Sequence, residues 1–227
     1  MNCKLLAGAL AGMFAAASFA QGAVIGQWNF TSSLTAASTV DPNATAAPLA
    51  RGTSTNAPTS TNDFWASKPV MSISRSDDTA AQAYFQVTLT ANAGYELNLD
   101  SFTFDGARGG ASTPRTYEVH SSVAGLLNDA STFPTSTSLN SGSFTAARGA
   151  AGSTDTLPTI TTDLSSAAYD HLSTLTMRIY FYTPTVSQNI DIDNITFNGS
   201  VVPVPEPAMV SAGLAVAVAA LSRRRRR

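Results

Sequence analysis

The sequence predicts an all-β protein: an antiparallel β-sandwich, jelly-roll-like, with an apolar helix at each end of the chain. Three observations predict it. Between residues 24 and 202, short β-prone segments alternate with clusters of Gly, Pro, Asn, Asp, Ser and Thr. No 3.6-residue period is sustained outside the two termini. About nine to eleven strands at such short spacing bury their apolar faces by stacking two sheets. The segments that open and close this body are both strongly apolar, and pairing them closes a jelly roll. No internal repeat of fixed period is present, which argues against a solenoid or propeller.

The chain opens with an address. Lys4 supplies a short positive region, residues 5–19 are apolar and rich in Ala and Gly, and Ser18 and Ala20 place small residues at −3 and −1 of a cleavage site. This is the form of a secretory signal peptide over residues 1–20, read by signal peptidase. A second cut after Ala23 is the alternative. Cys3, the one cysteine in 227 residues, leaves with the signal. The mature body then has no disulfide, thiol nucleophile or thiolate-bound metal, and its stability must come from buried area and backbone pairing.

The predicted body, residues 21–202, starts with a strand at 24–30, with Val24, Gly26 and Trp28 on one face and Ile25, Gln27 and Asn29 on the other. Residues 31–62 are Thr-, Ala- and Pro-rich and read as a wandering loop with little core contact. A short strand at 69–74 follows. In 84–90, Phe85, Val87 and Leu89 alternate with Gln86, Thr88 and Thr90, an unbroken period of two. Ala93-Gly94 turns the chain into 95–104, where Leu97, Leu99, Phe102 and Phe104 slip phase near Asp100, as a bulge does. Asp105-Gly106 and Arg108-Gly109-Gly110 read as a glycine-rich loop. Further strands are expected at 115–122, 143–147, 156–161, 175–182 and 190–202. In 175–182, Leu175, Met177, Ile179 and Phe181 share one face.

Beyond the body, Val202-Pro203-Val204-Pro205-Glu206-Pro207 enforces an extended spacer, since alternate prolines forbid a helix. The run 208–221 is uncharged, and Arg223, Arg224, Arg225, Arg226 and Arg227 close the chain. About 14 helical residues cover only about 21 Å of a roughly 30 Å hydrocarbon core. Terminal arginines can snorkel to the headgroups and hold the cytoplasmic side. In this order, the Pro-Glu-Pro triplet, short apolar helix and Arg cluster resemble the PEP-CTERM sorting signal of Gram-negative bacteria. The resemblance covers residues 203–227. It implies recognition of Val204, Pro205, Glu206 and Pro207 by an exosortase, a transient inner-membrane anchor, and release to the cell surface or the exopolysaccharide matrix.

Composition narrows the partners. Only 12% of residues are charged, and Ser and Thr make up roughly a quarter of the chain. Of 13 Lys and Arg, five close the chain and one is Lys4, leaving seven in the body. Of 15 Asp and Glu, all but Glu206 lie in the body, so its net charge is −7. A body of that sign does not condense on phosphate backbones, so nucleic acid is not an expected partner.

Candidate chemistry is sparse. His120 and His171 are the only histidines and read as surface or turn residues, His120 pointing outward from its strand. Glu96, Asp100, Asp105 and Glu118 offer carboxylates, but nothing in their spacing selects the pair a glycan hydrolase needs. Asp191 and Asp193 are more informative. Counting by twos from Ile195 and Phe197 puts both on the core face, where a carboxylate requires donors or a cation. The closing strand also resembles that of jelly-roll carbohydrate-binding modules, whose aspartate helps hold a structural calcium. The opening strand here offers no acidic partner, which favours backbone amides or an arginine such as Arg178 over a metal. No other cofactor is implied. Among aromatics, Trp28 reads as core. Tyr95, Tyr117, Tyr182 and, above all, Trp65 in the loop 62–65 are candidate sugar platforms. The expected function is a structural or adhesive matrix role without catalysis, with a carbohydrate-binding module and then a glycan hydrolase as alternatives.

Overall fold

The computed structural model describes residues 22–31, 33, 35–53, 55, 59–60, 65–67, 83–109, 115–125, 138–145, 157–182 and 190–204. Thirteen strands occur among them: β1 (Ala23–Trp28), β2 (Thr39–Val40), β3 (Ala44–Ala46), β4 (Ala50–Arg51), β5 (Thr59–Ser60), β6 (Trp65–Ser67), β7 (Tyr84–Ala91), β8 (Tyr95–Arg108), β9 (Arg115–Ser121), β10 (Asn140–Phe144), β11 (Thr159–Asp163), β12 (Thr174–Tyr182) and β13 (Ile190–Pro203). A single 3-10 turn, Ala167–Tyr169, is the only helical element among the described residues. The stretches read as signal and anchor helices, and the strand expected at 69–74, lie outside them.

Every pairing among these strands is antiparallel. One sheet runs β11-β8-β13-β1-β2, with β6 also on β13 and β5 on β6. The other runs β10-β9-β12-β7-β3, with β4 also on β7. Followed along the chain, the long strands go first sheet (β1), second (β7), first (β8), second (β9, β10), first (β11), second (β12), first (β13). That winding is a jelly roll, and the expected pairing of opening and closing strands is present as Ala23↔Gly199 through Trp28↔Ile195.

Clean alternation translated directly into burial. Phe85, Val87 and Leu89 on β7 and Leu175, Met177, Ile179 and Phe181 on β12 all face the core. Rings fill the space between sheets: Phe104 of the first meets Tyr117 of the second edge-on at 5.9 Å, and Phe102, Phe197 and Trp28 continue the layer. Each such side chain contributes about 1.5–3 kcal/mol of burial. The phase slip on β8 is a bulge: Leu99 pairs with Gly199 and Ser101 with Asn198, so Asp100 has no opposite residue.

Three expectations are corrected. Asp105-Gly106 is not a loop, because β8 continues to Arg108. Glycine is needed there for packing, since a Cβ on Gly106 would lie 2.5 Å from the Phe144 ring. Residues 31–62 are not peripheral: they include β2 to β5, and Ala44 and Leu49 are buried. In β1 the register shifts between Val24 and Gly26, so Ile25 and Trp28, expected on opposite faces, are both buried.

Two glycines test this backbone. A Cβ on Gly199 would collide with the Asn98 carbonyl and lie 3.0 Å from the Leu99 Cα. Gly199→Ala is expected to lower stability by about 1–3 kcal/mol in urea unfolding. Gly94, at φ 84 with open space around it, isolates the conformational cost alone. Gly94→Ala should cost about 1–2 kcal/mol. A neutral Gly199→Ala would show that the bulge does not hold β8 and β13 this closely.

Candidate functional site

The outer face of the first sheet carries an amide and hydroxyl stripe. Asp193 on β13 lies opposite Asp105 on β8, whose neighbour Phe104 faces the core, so both carboxylates face outward. Asn194 donates its backbone N–H to Asp193 at 2.7 Å and its amide to Asp193 and Asp105 at 3.2 and 2.9 Å. Thr159 donates to the other Asp105 oxygen at 2.5 Å. The next row continues with Gln27 donating to Thr196 at 3.3 Å, and Thr196 to the Asn194 carbonyl at 2.9 Å.

The expectation that Asp193 points into the core is therefore wrong. Asn194, at φ 47, and Ile195 form a bulge opposite Phe104, and counting by twos through it reverses the face. Asp193 is half-buried. The Asn194 backbone amide donates to it, where the amides of a neighbouring loop or Arg178 were expected.

Asp191 is fully buried, within electrostatic reach of Arg115, which is itself fully buried at the start of β9. Burial lowers the Arg115 pKa, Arg108 adds to that, and Asp191 opposes both. The guanidinium also donates to the Gly109 carbonyl at 3.1 Å. This arginine places a positive charge beside Asp191. Among the described residues no group of three or more His, Cys, Asp or Glu gathers as a metal site.

The outer face of the second sheet holds a cluster that the sequence reading missed. Register aligns Gln86, Arg178 and His120 in one row and Tyr84, Tyr180 and Glu118 in the next. Arg178 donates to Gln86 at 2.7 Å and to the Tyr180 hydroxyl at 3.1 Å, and its guanidinium lies 4.1 Å above the Tyr84 ring. His120 stands 3.3 Å from Glu118 and packs edge-on against Tyr180. His120 does lie on the outward face, but it is fully buried rather than at the surface, and Glu118 nearly so. Their burial makes this a packed polar layer. The available signal was the run of large polar and aromatic residues at outward positions of three neighbouring strands. Beyond it, toward the other end of the sheet, threonine hydroxyls pair across strands: Thr88 with Thr176 at 2.8 Å and Thr90 with Thr174 at 2.9 Å.

At the rim, His171 sits in a left-handed conformation at φ 56. Its N–H donates to the Asn98 side chain at 2.8 Å, and its Nδ1 bonds Glu96. The imidazole is exposed, as a turn histidine was expected to be. The four acidic candidates do not converge: Glu96 holds His171, Glu118 holds His120, Asp105 faces Asp193, and Asp100 lies on the bulge.

Of the other predicted residues, Trp65 opens β6 opposite Ile192 instead of lying in a loop. Tyr117 and Tyr182 are buried and present no platform. Val204 is exposed, with its N–H donating to the Gly94 carbonyl at 2.9 Å. Ala20, Pro205, Glu206, Pro207, Arg223, Arg224, Arg225, Arg226 and Arg227 lie outside the described residues.

The sequence matches no family model and no curated protein. Among solved structures, it is similar to the K1 cleaved adhesin domain of Lys-gingipain from Porphyromonas gingivalis W83. Identity is 18% over 77% of this chain and 97% of that one, with a TM-score of 0.37. A Stig cyclase, Fisc, from Fischerella sp. TAU matches at 9% identity over 74% of this chain and 80% of that one, with a TM-score of 0.30. At these TM-scores neither likeness bears on fold or function.

Two measurements check the site. Asp191→Ala, which leaves the Arg115 guanidinium buried without that carboxylate, is expected to cost about 3–5 kcal/mol. Asp193→Ala, losing half-exposed hydrogen bonds, should cost about 1 kcal/mol. Equal costs in urea unfolding would contradict this placement. The Glu96 hydrogen bond, and then its charge, raise the His171 pKa. The stabilisation is thus complete below the ordinary histidine value of about 6.5 and is lost as pH rises through the higher folded value. An NMR titration should show the raised value and its return toward normal in Glu96→Gln.

Proposed function

We propose that this chain is an exported protein, processed at both ends and left at the cell surface or in the extracellular matrix, where its sandwich has a structural or adhesive role without catalysis. The observation that carries the reading is the order of parts at the carboxyl end. β13 runs to Pro203, Val204 still bonds the Gly94 carbonyl, and Pro205-Glu206-Pro207, an uncharged run and five arginines follow at once. This order of parts supports reading the segment after Pro203 as a sorting signal of the PEP-CTERM kind. Signal peptidase acting at Ala20 and an exosortase acting near Pro-Glu-Pro are the processing partners. Between the two cuts the body is tethered to the inner membrane.

The surface chemistry supports the destination. Thr88 and Thr90 with Thr176 and Thr174, and the Asn194–Thr196–Gln27 stripe, cover the outer faces with groups that already bond one another. Such faces, on a body of net charge −7, stay hydrated among polysaccharides without strong ionic attachment. A carbohydrate-binding role stands second. It is favoured by the Asp105–Asn194–Asp193 stripe, whose amide and carboxylates match the hydroxyls of a sugar chain.

Intact-mass measurement of protein extracted from the cell surface tests the reading. The mature form should lack residues 1–20 and the arginine end, and retention of Arg227 would replace sorting with a permanent tail anchor. Affinity of the processed protein for matrix polysaccharide should be weak or absent and change little with salt, since stacking and hydroxyl bonds are not screened. Retention that disappears in Trp65→Ala would move the binding role to first place. Release of reducing sugars, lost on mutating an acidic pair, would instead make the protein a hydrolase.

A further inference from the structure

We propose that the Asp41–Pro42 peptide bond is a self-cleavage site, at which, in mild acid, the Asp41 carboxylate attacks its own main-chain carbonyl carbon and releases Pro42. The sandwich is thereby converted into two chains that stay assembled. Neither the turn nor its chemistry depends on the export reading.

The bond lies where the chain crosses between the sheets. β2 belongs to the first sheet and β3 to the second, and Asp41, Pro42 and Asn43 join them. Asp-Pro occurs once in the 227 residues. The Ala44 N–H donates to the Asp41 carbonyl at 3.0 Å, closing a turn with Pro42 and Asn43 at its centre. The Asn43 N–H donates to Oδ1 of Asp41 at 2.8 Å. The turn is fixed on both sides. The Asp41 N–H bonds the Ile25 carbonyl at 3.0 Å, and the Asn92 N–H bonds the Asn43 carbonyl at 2.8 Å. The Asn92 side chain donates to the Pro42 carbonyl at 3.1 Å. Pro42 is exposed, with Asp41 and Asn43 half-buried.

These bonds supply the parts of an acyl-transfer step. The nucleophile is the carboxylate. The ring closed by the Asn43 bond to Oδ1 encloses the Asp41–Pro42 bond, so the carboxylate is folded back along the bond it cuts. The Ala44 N–H points at the carbonyl oxygen on which negative charge develops in the tetrahedral intermediate. The leaving group is the tertiary amide nitrogen of proline, which departs as a secondary amine.

In the step, a carboxylate oxygen of Asp41 bonds to the Asp41 carbonyl carbon and the bond from that carbon to the Pro42 nitrogen breaks. The nitrogen keeps the electron pair and takes a proton from solvent. The cyclic anhydride left on Asp41 adds one water and opens to two carboxyl groups, so the net change is hydrolysis. The nitrogen needs a proton to leave and the carboxyl must lose one to attack. The rate therefore rises as pH falls toward the ordinary aspartate value of about 3.9. Among the described residues, β1, β2 and β3 bring no titratable side chain to the turn. β7 carries only Tyr84, at its far end, and the chain beyond Asn92 leads to Tyr95.

The cut leaves a carboxylate on Asp41 and a secondary ammonium on Pro42, with both new ends still tied by the bonds named above. The fragment ending at Asp41 keeps β1 between β13 and β2, with Ile25 and Trp28 in the core. Its hold on the rest of the molecule is then non-covalent.

The test incubates the purified full chain at about pH 4, close to the aspartate value, and at pH 7, below its melting temperature, and follows intact mass. Fragments that meet at Asp41 and Pro42, together one water heavier than the chain, should accumulate in acid. They should form at least about tenfold faster in the folded protein than in guanidinium-unfolded protein at the same pH. Equal rates, or no cut at this bond, would overturn the inference. Asp41→Asn keeps an oxygen for the Asn43 N–H but gives up the carboxylate, and Pro42→Ala keeps the carboxylate but not the tertiary amide. Each should cut at least about tenfold more slowly, and cleavage of either at the native rate would refute the mechanism. Gel filtration of the cleaved protein should return both fragments in one peak, which separates in denaturant. Separation without denaturant would overturn the assembled two-chain form.

Discussion

The pairing of β8 with β13 is the interaction on which the rest of the structure depends. Both strands run 14 residues, and together they form the spine of the first sheet. β11 attaches to the outer side of β8, while β1 and β6 attach to the other side of β13. Phe102, Phe104, Ile195 and Phe197, all from this pair, form the apolar floor against which the second sheet packs. With no cysteine after Cys3, no covalent link backs up the spine, so its hydrogen bonds and aromatic layer must hold the closed sandwich together. Its two register breaks, at Asp100 and at Asn194–Ile195, are the points where the spine turns polar side chains outward while keeping Phe and Ile inward.

Those breaks also explain what could be read from the sequence. The Asp100 bulge was legible because apolar residues flank it on both sides: Leu97 and Leu99 fix one phase, Phe102 and Phe104 the other. The Asn194 bulge was not. Ile190 and Ile192 fix one phase there and Ile195 and Phe197 the other, but counting back from Ile195 alone carries the wrong phase through the bulge. Extrapolation then placed both aspartates on the core face, whereas the register gives them the opposite face, Asp191 buried there and Asp193 half-buried. The core faces of the strands without bulges, β7 and β12, were legible because nothing interrupts their period of two.

A second class of error has a different cause. His120 and Glu118 do occupy outward positions of β9, and alternation alone makes outward mean exposed. Arg178 and Tyr180 on β12 meet them in adjacent rows, and the outer face there is buried. Gly106 failed likewise, since a glycine in a strand reads as a turn unless one knows that Phe144 presses on it from the other sheet. Both are consequences of tertiary packing, which local pattern does not encode. The terminal signals are the reverse case. Their reading rests on the order of residues alone, so it needs no knowledge of packing.

The two kinds of information meet at one end of the first sheet. β1 begins and β13 ends there, because antiparallel neighbours place the start of one beside the end of the other. Gly22 lies against Gly199, and β13 passes only Ser200 to Pro203 before Val204 leaves the sheet. Residues 22 and 204, the two ends of the described body, therefore lie at the same corner, next to Asp100 and the Gly94 turn. The connectivity that closes the core, with β1 paired to β13, is thus also what brings the two ends of the described body together.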